Sequence, residues 1–172
     1  TEDLKDSAYE NTALPIGEGQ TISQPQVVAF MLEKLSVKKS DKVLDIGFGS
    51  GWTTALLSYL VGEKGEVVAI ELKEEVYSFG SKNIEKYFEL AERVKLICGD
   101  GKKGYKPKAP YDKILVSAAV EEGEEIPKEL VNQLKKNGRL VIPKGSFIYA
   151  CKKEGKGLRC EKNYGYTFVP LV

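Results

Sequence analysis

From residue 42 onward, short apolar runs alternate with segments whose apolar residues recur at helical spacing. The runs are rich in Val, Ile and Leu, as buried strands are. They occupy residues 42–47, 66–71, 94–100, 113–118 and 139–143. The segments with helical spacing occupy residues 52–61, 73–88 and 127–134. This alternation predicts a mostly parallel α/β sheet, Rossmann-like in organisation, with helices on both faces.

The two ends of the chain read differently. Residues 146–152 and 164–169 are β-type stretches joined by polar residues, which predicts an antiparallel strand near the C-terminus and seven strands in all. At the other end, an irregular arm to Ile22 is followed by a predicted helix over residues 24–35. We therefore expect one compact domain, in which residues 1–41 complete the active site of a cofactor-binding core at residues 42–172.

Composition narrows the class of protein. The 172 residues carry 26 Lys and Arg against 25 Asp and Glu, a net charge of +1, so a nucleic-acid partner is not favoured. No apolar run approaches the ~18 residues of a membrane span, and the first residues do not resemble a signal peptide. The 3 cysteines are too few and too scattered to predict a disulfide framework. These features predict a cytoplasmic protein without a membrane partner.

Histidine is absent from the sequence. Nucleophile pairs that need an imidazole are therefore excluded, and so are metal sites with histidine ligands. We expect no metal.

A glycine-rich turn follows the first strand of the core. Residues 45–51 (DIGFGSG) end that strand and open the next helix, where open α/β sheets bind ligands. The spacing is Gly-x-Gly-x-Gly, whereas the dinucleotide fingerprint requires Gly-x-Gly-x-x-Gly and finds Trp52 at its last position. The turn therefore favours a ligand without a pyrophosphate, which argues against a nicotinamide-dependent oxidoreductase.

Two acidic residues end the neighbouring strands. Glu71 ends the second strand, where a carboxylate can accept both hydroxyls of a ribose. Asp100 ends the third strand, placed to receive the amino group of an adenine. With the glycine-rich turn, this combination resembles the class I S-adenosylmethionine-dependent methyltransferases.

Longer stretches resemble one family among them, the protein-L-isoaspartate O-methyltransferases. The similar stretches run in the family's order from Ala8 to Val172. They are residues 8–25 (AYENTALPIGEGQTISQP), 45–62 (DIGFGSGWTTALLSYLVG), 99–127, 133–145 (QLKKNGRLVIPKG) and 168–172 (FVPLV).

The resemblance implies a protein-repair enzyme that transfers a methyl group from S-adenosylmethionine to the α-carboxylate of L-isoaspartyl residues, leaving S-adenosylhomocysteine. Its partners would be isoaspartyl-containing peptides and proteins. The implied cofactor-binding residues are Thr21, Ile22, Asp45, Gly47, Gly49, Ser50, Gly51, Glu71, Leu72, Asp100 and Gly101. On the acceptor side the implied residues are Pro15, Ile16 and Ser23.

Ser23 carries two interpretations that can coexist. The resemblance places it beside the transferring methyl group, as the catalytic residue. Its spacing to Gln26 also fits a capping box, in which the serine side chain caps the helix that follows.

Two departures from the family concern the acceptor side. An acidic residue often follows the Ala-Tyr pair, and here Asn11 stands in its place. The family usually has a longer segment before that pair, whereas 7 residues precede it here. Two alternatives therefore stay open: a methyltransferase acting on tRNA or a small molecule, and a non-catalytic module that binds peptide without turnover.

Overall fold

A computed structural model describes residue 4 and residues 6–172. The strands are β1 (Leu14–Gly17), β2 (Gln20–Ile22), β3 (Lys42–Ile46), β4 (Glu66–Glu71), β5 (Val94–Cys98), β6 (Tyr111–Val116), β7 (Leu134–Lys144), β8 (Phe147–Glu154) and β9 (Gly157–Tyr164). The helices are α1 (Pro25–Leu35), α2 (Trp52–Val61), α3 (Glu74–Glu85), α4 (Phe88–Ala91) and α5 (Lys128–Gln133).

Seven of these strands form one sheet in the order β5-β4-β3-β6-β7-β8-β9. Neighbouring strands from β5 to β7 pair in parallel, and β8 pairs antiparallel with both β7 and β9. The chain builds outward from β3 to β5 and then crosses to the other side of β3 with β6. This reversal makes a switch point at the carboxyl ends of β3 and β6, where sheets of this kind bind ligands. The prediction of a seven-stranded, mostly parallel sheet with an antiparallel strand near the C-terminus is confirmed.

Each face of the sheet has its own apolar core. Alternate residues of one strand point to opposite faces, so Leu44 of β3 belongs to one core and Val43 to the other. The second core takes Met31 and Leu35 from α1 and Leu57 from α2. Helix α1 is thereby anchored on the sheet, and the chain leading into it is held close to the carboxyl ends of the strands.

The predicted ends of the sheet need correction. Residues 164–169 were expected to form the last strand, but that strand is β9, and the polar residues expected to be a connection belong mostly to β8 and β9. Most side chains of β9 are exposed, because it is the outermost strand. A strand with so few buried residues lacks the apolar pattern by which strands are recognised.

The arm before Ile22 was expected to be irregular, and this expectation is also wrong. It contains the two-stranded antiparallel hairpin β1–β2. The helix predicted over residues 73–88 ends at Glu85 and is followed by the separate short helix α4.

The cysteine interpretation is corrected as well. Cys151 of β8 and Cys160 of β9 lie directly opposite each other in the antiparallel register and form a disulfide. Spacing along the chain did not reveal this pair, because the register of two strands brings it together. Cys98 is a free, exposed thiol. The argument from cysteine usage to a reducing compartment therefore loses its basis.

Within residue 4 and residues 6–172, no helix has the length and apolar character needed to cross a membrane.

Candidate cofactor and acceptor site

A cavity of about 810 Å³, counted with its open mouth, lies at the carboxyl ends of β3, β4 and β6. One side is formed by the glycine-rich turn from Gly47 to Ser50 together with Glu71, which we call the loop wall. Another part of the lining is formed by residues 20–23, which we call the arm wall. The C-terminal residues 169–172 close a third side. The cavity thus lies at the switch point of the sheet.

The loop wall depends on backbone that only glycine adopts easily. Gly47, Gly49 and Gly51 have φ of 77°, 53° and 84°. Gly51 also packs against α3, since a Cβ built there would lie 2.8 Å from the carbonyl oxygen of Gly80. A Cβ built on Gly80 would in turn collide with the carbonyl oxygen of Gly49 and with the ring of Phe48. Helix α3 therefore supports the turn from behind through two facing glycines.

Glu71 holds the turn from the end of β4. Its Oε2 accepts a hydrogen bond from the Gly49 amide at 3.1 Å, and its Oε1 accepts from the Leu72 amide at 2.9 Å. In a phosphate-binding turn, amides of this kind point at the ligand. Here the Gly49 amide donates to the Glu71 carboxylate and is not available to a phosphate. This agrees with the expectation of a ligand without a pyrophosphate.

Asp45 lies beneath the turn, fully buried at the end of β3. Its Oδ2 accepts a 2.6 Å hydrogen bond from the Thr54 hydroxyl. Its Oδ1 is buried and, among the described residues, has no hydrogen-bond partner. Burial raises the pKa of Asp45 to about 7. The hydrogen bond from Thr54 lowers this pKa, and the nearby charge of Glu71 raises it further. A buried acceptor of this kind suits a positively charged ligand group.

The arm wall leads directly into α1, and here the capping prediction for Ser23 is wrong. The N-cap residue of α1 is Gln24, and the Gln24 side chain makes no capping hydrogen bond. The Gln26 amide, which a Ser23 cap would have used, donates instead to Asn11 Oδ1 at 3.1 Å. Ser23 thus remains in the arm wall, where it lines the cavity.

Most of the predicted cofactor residues come together around the cavity. The ones that line it are Thr21, Ile22, Gly47, Gly49, Ser50, Glu71, Leu72 and Gly101, together with Ser23. Asp45 is fully buried and Gly51 packs against α3, and neither residue lines the cavity. The Asp100 carboxylate accepts from the Lys102 amide at 2.9 Å and pairs with Lys103, so its proposed contact with an adenine stays a prediction.

Pro15 and Ile16, predicted on the acceptor side, line a neighbouring apolar groove. That groove meets the cavity at Ile22 and Ser50, which line both. Ile16 also approaches the loop wall, since a Cβ built on Gly49 would lie 3.4 Å from its Cδ1.

Sequence reasoning missed several lining residues. They are Gln20, Ile46, Phe48, Thr53, Ile70, Lys73 and Ser117, together with residues 169–172. The C-terminal residues form an isolated parallel bridge with the chain after β6, through Ala119 and Pro170. Gly80 was missed too, although a glycine inside a helix is a signal of close packing, because it is destabilising unless something must approach it.

The charges around the cavity fit S-adenosylmethionine. Of the residues that the structure describes, Glu71 and Lys73 are the charged side chains that line it, and Asp45 is fully buried two positions before Gly47. The sulfonium and ammonium groups of S-adenosylmethionine are positively charged. The buried carboxyl groups of Glu71 and Asp45 therefore suit this ligand better than they would suit a phosphate. Among the described residues, no cluster of His, Cys, Asp or Glu could hold a metal ion.

Comparison with known proteins decides the family. The sequence model of the protein-L-isoaspartate(D-aspartate) O-methyltransferases matches residues 1–172. This chain belongs to that family. Its members are S-adenosylmethionine-dependent methyltransferases, so the class predicted from the glycine-rich turn is confirmed.

Individual relatives agree. The chain is 42% identical to a protein-L-isoaspartate O-methyltransferase of Methanopyrus kandleri, over 99% of this chain and 76% of that protein. It is 44% identical to protein-L-isoaspartate O-methyltransferase 2 of Archaeoglobus fulgidus, over 99% of this chain and 77% of that protein.

Solved structures give the same result. A protein-L-isoaspartate O-methyltransferase superposes with a TM-score of 0.86 and 31% identity, over 96% of this chain and 54% of the other. A Plasmodium falciparum structure described as an enzyme of this kind, in complex with S-adenosyl-L-homocysteine, superposes with a TM-score of 0.85 and 27% identity. That match covers 98% of this chain and 83% of the other.

Proposed function

We propose that this chain transfers the methyl group of S-adenosylmethionine to the free α-carboxylate of L-isoaspartyl residues in damaged proteins and peptides. One observation of the site carries the choice of acceptor. Among the described residues, the charged side chains lining the cavity are Glu71, which accepts from backbone amides, and Lys73, which donates to the Glu18 carbonyl, so both are already engaged and neither is a free general base. A carboxylate acceptor needs none, because it is already ionised near neutral pH.

S-adenosylmethionine, when bound, supplies an electrophilic methyl group on a sulfonium centre. In this proposal Glu71 accepts the ribose hydroxyls, while the glycine-rich turn lets the backbone approach the ligand closely. Asp45 provides a buried acceptor below the positively charged end. Thr21 and Ile22 lie along the methionine portion.

The remaining task is alignment of the acceptor with the methyl group. We place Ser23 beside the acceptor carboxylate, with Pro15 and Ile16 in the groove that continues from it. Holding two reactants in line accelerates a transfer strongly and requires no proton movement. An active site without histidine is sufficient for this chemistry.

The test is transfer of radiolabelled methyl from S-adenosylmethionine to a peptide that contains one L-isoaspartyl residue. The matched control is the same peptide with a normal aspartyl residue. We expect a base-labile methyl ester on the first peptide alone, and a single-turnover rate that is nearly flat between about pH 6 and 8. Equal labelling of both peptides would contradict the proposed acceptor. So would a steep rise of the rate with pH that persists in Asp45→Asn, because Asp45 itself titrates in this range.

A further inference from the structure

Helix α1 begins with an unusual arrangement of its first amides. Pro25, the first helical residue, has no N–H, and the Val27 amide donates to the Gln24 carbonyl at 3.0 Å. The Gln26 amide is the one that needs an acceptor from outside the helix. Asn11, which lies 15 positions earlier in the chain, provides it. The start of α1 is therefore capped by the arm and not by its own neighbours.

The contact between these two residues is reciprocal. Asn11 Oδ1 accepts from the Gln26 amide, and Asn11 Nδ2 donates to Gln26 Oε1 at 2.8 Å. Because the contact joins residues 11 and 26, it closes the segment that contains the hairpin β1–β2 and Ser23. We call this contact the clasp.

The closed segment has little other support of its own. Its residues are exposed or only half-buried, so apolar burial holds it weakly. The tip of the hairpin is tethered where the Lys73 ammonium donates to the Glu18 carbonyl. The clasp secures the base of the hairpin, which is the end adjacent to Ser23.

We propose that Asn11 is a positioning residue for methyl transfer: its clasp on Gln26 fixes the start of α1 and thereby the place of Ser23 in the arm wall. This inference rests on the proposed function. Asn11 touches neither reactant and acts through Ser23. Small misplacements are costly in an in-line transfer, so loss of the clasp lowers kcat on the isoaspartyl peptide.

Three variants remove or retain different hydrogen bonds of the clasp. Asn11→Ala removes both hydrogen bonds, and kcat should fall by about 10–100-fold while the Kd for S-adenosylhomocysteine stays within about threefold. Gln26→Ala removes only the side-chain hydrogen bond and should give a smaller loss. Asn11→Asp keeps an acceptor for the Gln26 amide, and the Gln26 side chain can turn to donate to it, so kcat should return to within about twofold of wild type.

The control is Asn132→Ala, which removes an exposed asparagine on α5. Thermal unfolding of every variant is measured, since loss of a cap lowers Tm by about 2–8 °C, and turnover is assayed well below those temperatures. An unchanged kcat in Asn11→Ala, or an Asn11→Asp variant as slow as Asn11→Ala, would overturn the inference. No turnover by the wild-type protein on any isoaspartyl peptide would overturn the proposed function, and the inference with it.

Discussion

The two walls of the cavity are held in place by different means. The loop wall follows directly from buried strands β3 and β4, and its hydrogen bonds run to Glu71 at the end of β4. The arm wall is exposed or half-buried, and the segment that carries it is held by side-chain contacts, from Asn11 to Gln26 at its base and from Lys73 to Glu18 at its tip.

In the proposed function, this difference matches two different tasks of the walls. A rigid wall on the buried sheet suits the cofactor, which is the same in every turnover. A wall secured by a few hydrogen bonds suits the acceptor, which is one residue in many different proteins. Changes in the loop wall should therefore reduce cofactor affinity, and changes at Ser23 or at the contacts that hold the arm wall should reduce turnover. The predictions below test that separation.

The largest effect is expected for Gly80→Ala. The new methyl group would collide with the Gly49 carbonyl and the Phe48 ring, so the turn must move. Affinity for S-adenosylhomocysteine should fall on the order of 1000-fold or more, measured by titration calorimetry. The control is Gly157→Ala, where a Cβ would meet nothing within 4 Å. A Gly80→Ala protein that binds as wild type does would show that the loop wall is not rigid.

The next effect concerns Asp45 and stability. Its pKa rises from 3.8 to about 7 on folding, so between these values the folded protein keeps a proton that the unfolded chain has released. Stability from this group is therefore lost as pH rises from about 4 to 7, by up to about 4 kcal/mol. Urea unfolding at several pH values should show this loss in wild type and not in Asp45→Asn. Parallel pH profiles for the two proteins would rule it out.

Ser23→Asp tests the arm wall. A negative charge beside the acceptor should repel an incoming carboxylate and lower turnover by about 100-fold or more, while cofactor affinity stays within about threefold. Because Asn11 and not Ser23 caps α1, Ser23→Ala should change the free energy of unfolding by no more than about 0.5 kcal/mol. A fully active Ser23→Asp enzyme would remove this serine from the acceptor site.

The smallest effect is expected for Glu71→Gln. The amide retains one acceptor oxygen but loses the charge and the second acceptor for the ribose and the Gly49 amide. Cofactor affinity should fall about 10-fold, with kcat at saturating cofactor nearly unchanged. Glu74→Gln, at an exposed carboxylate in the first turn of α3, is the matched control. A loss confined to kcat would place Glu71 on the acceptor side instead.

Sequence patterns predicted the loop wall well because its determinants are local. The apolar run lies directly before Gly47, and Glu71 lies at the end of its own apolar run, so each signal can be read locally. The structure has β4 and α2 at the predicted bounds. Gly80 was missed because its partner, Gly51, is distant in sequence.

The arm wall was predicted in outline and misread in detail. The spacing from Ser23 to Gln26 fits a capping box, in which the Ser23 side chain would accept from the Gln26 amide. In the structure that amide donates to Asn11 instead. A single sequence cannot show which of two candidate acceptors reaches a given N–H, because the answer depends on how the hairpin folds back. The same limit applies to Cys151 and Cys160, which only the strand register brings together.

That disulfide affects how separate molecules meet. Strand β9 presents a polar edge, with Arg159, Glu161 and Lys162 exposed, and charged edges discourage pairing with a second sheet. If β9 detached, the new edge would be the apolar start of β8, residues 147–150. We therefore expect the bridge to Cys151 to protect the sheet against edge-to-edge aggregation, and light scattering of the reduced protein is the measurement that tests this. We expect reduction to increase association between molecules.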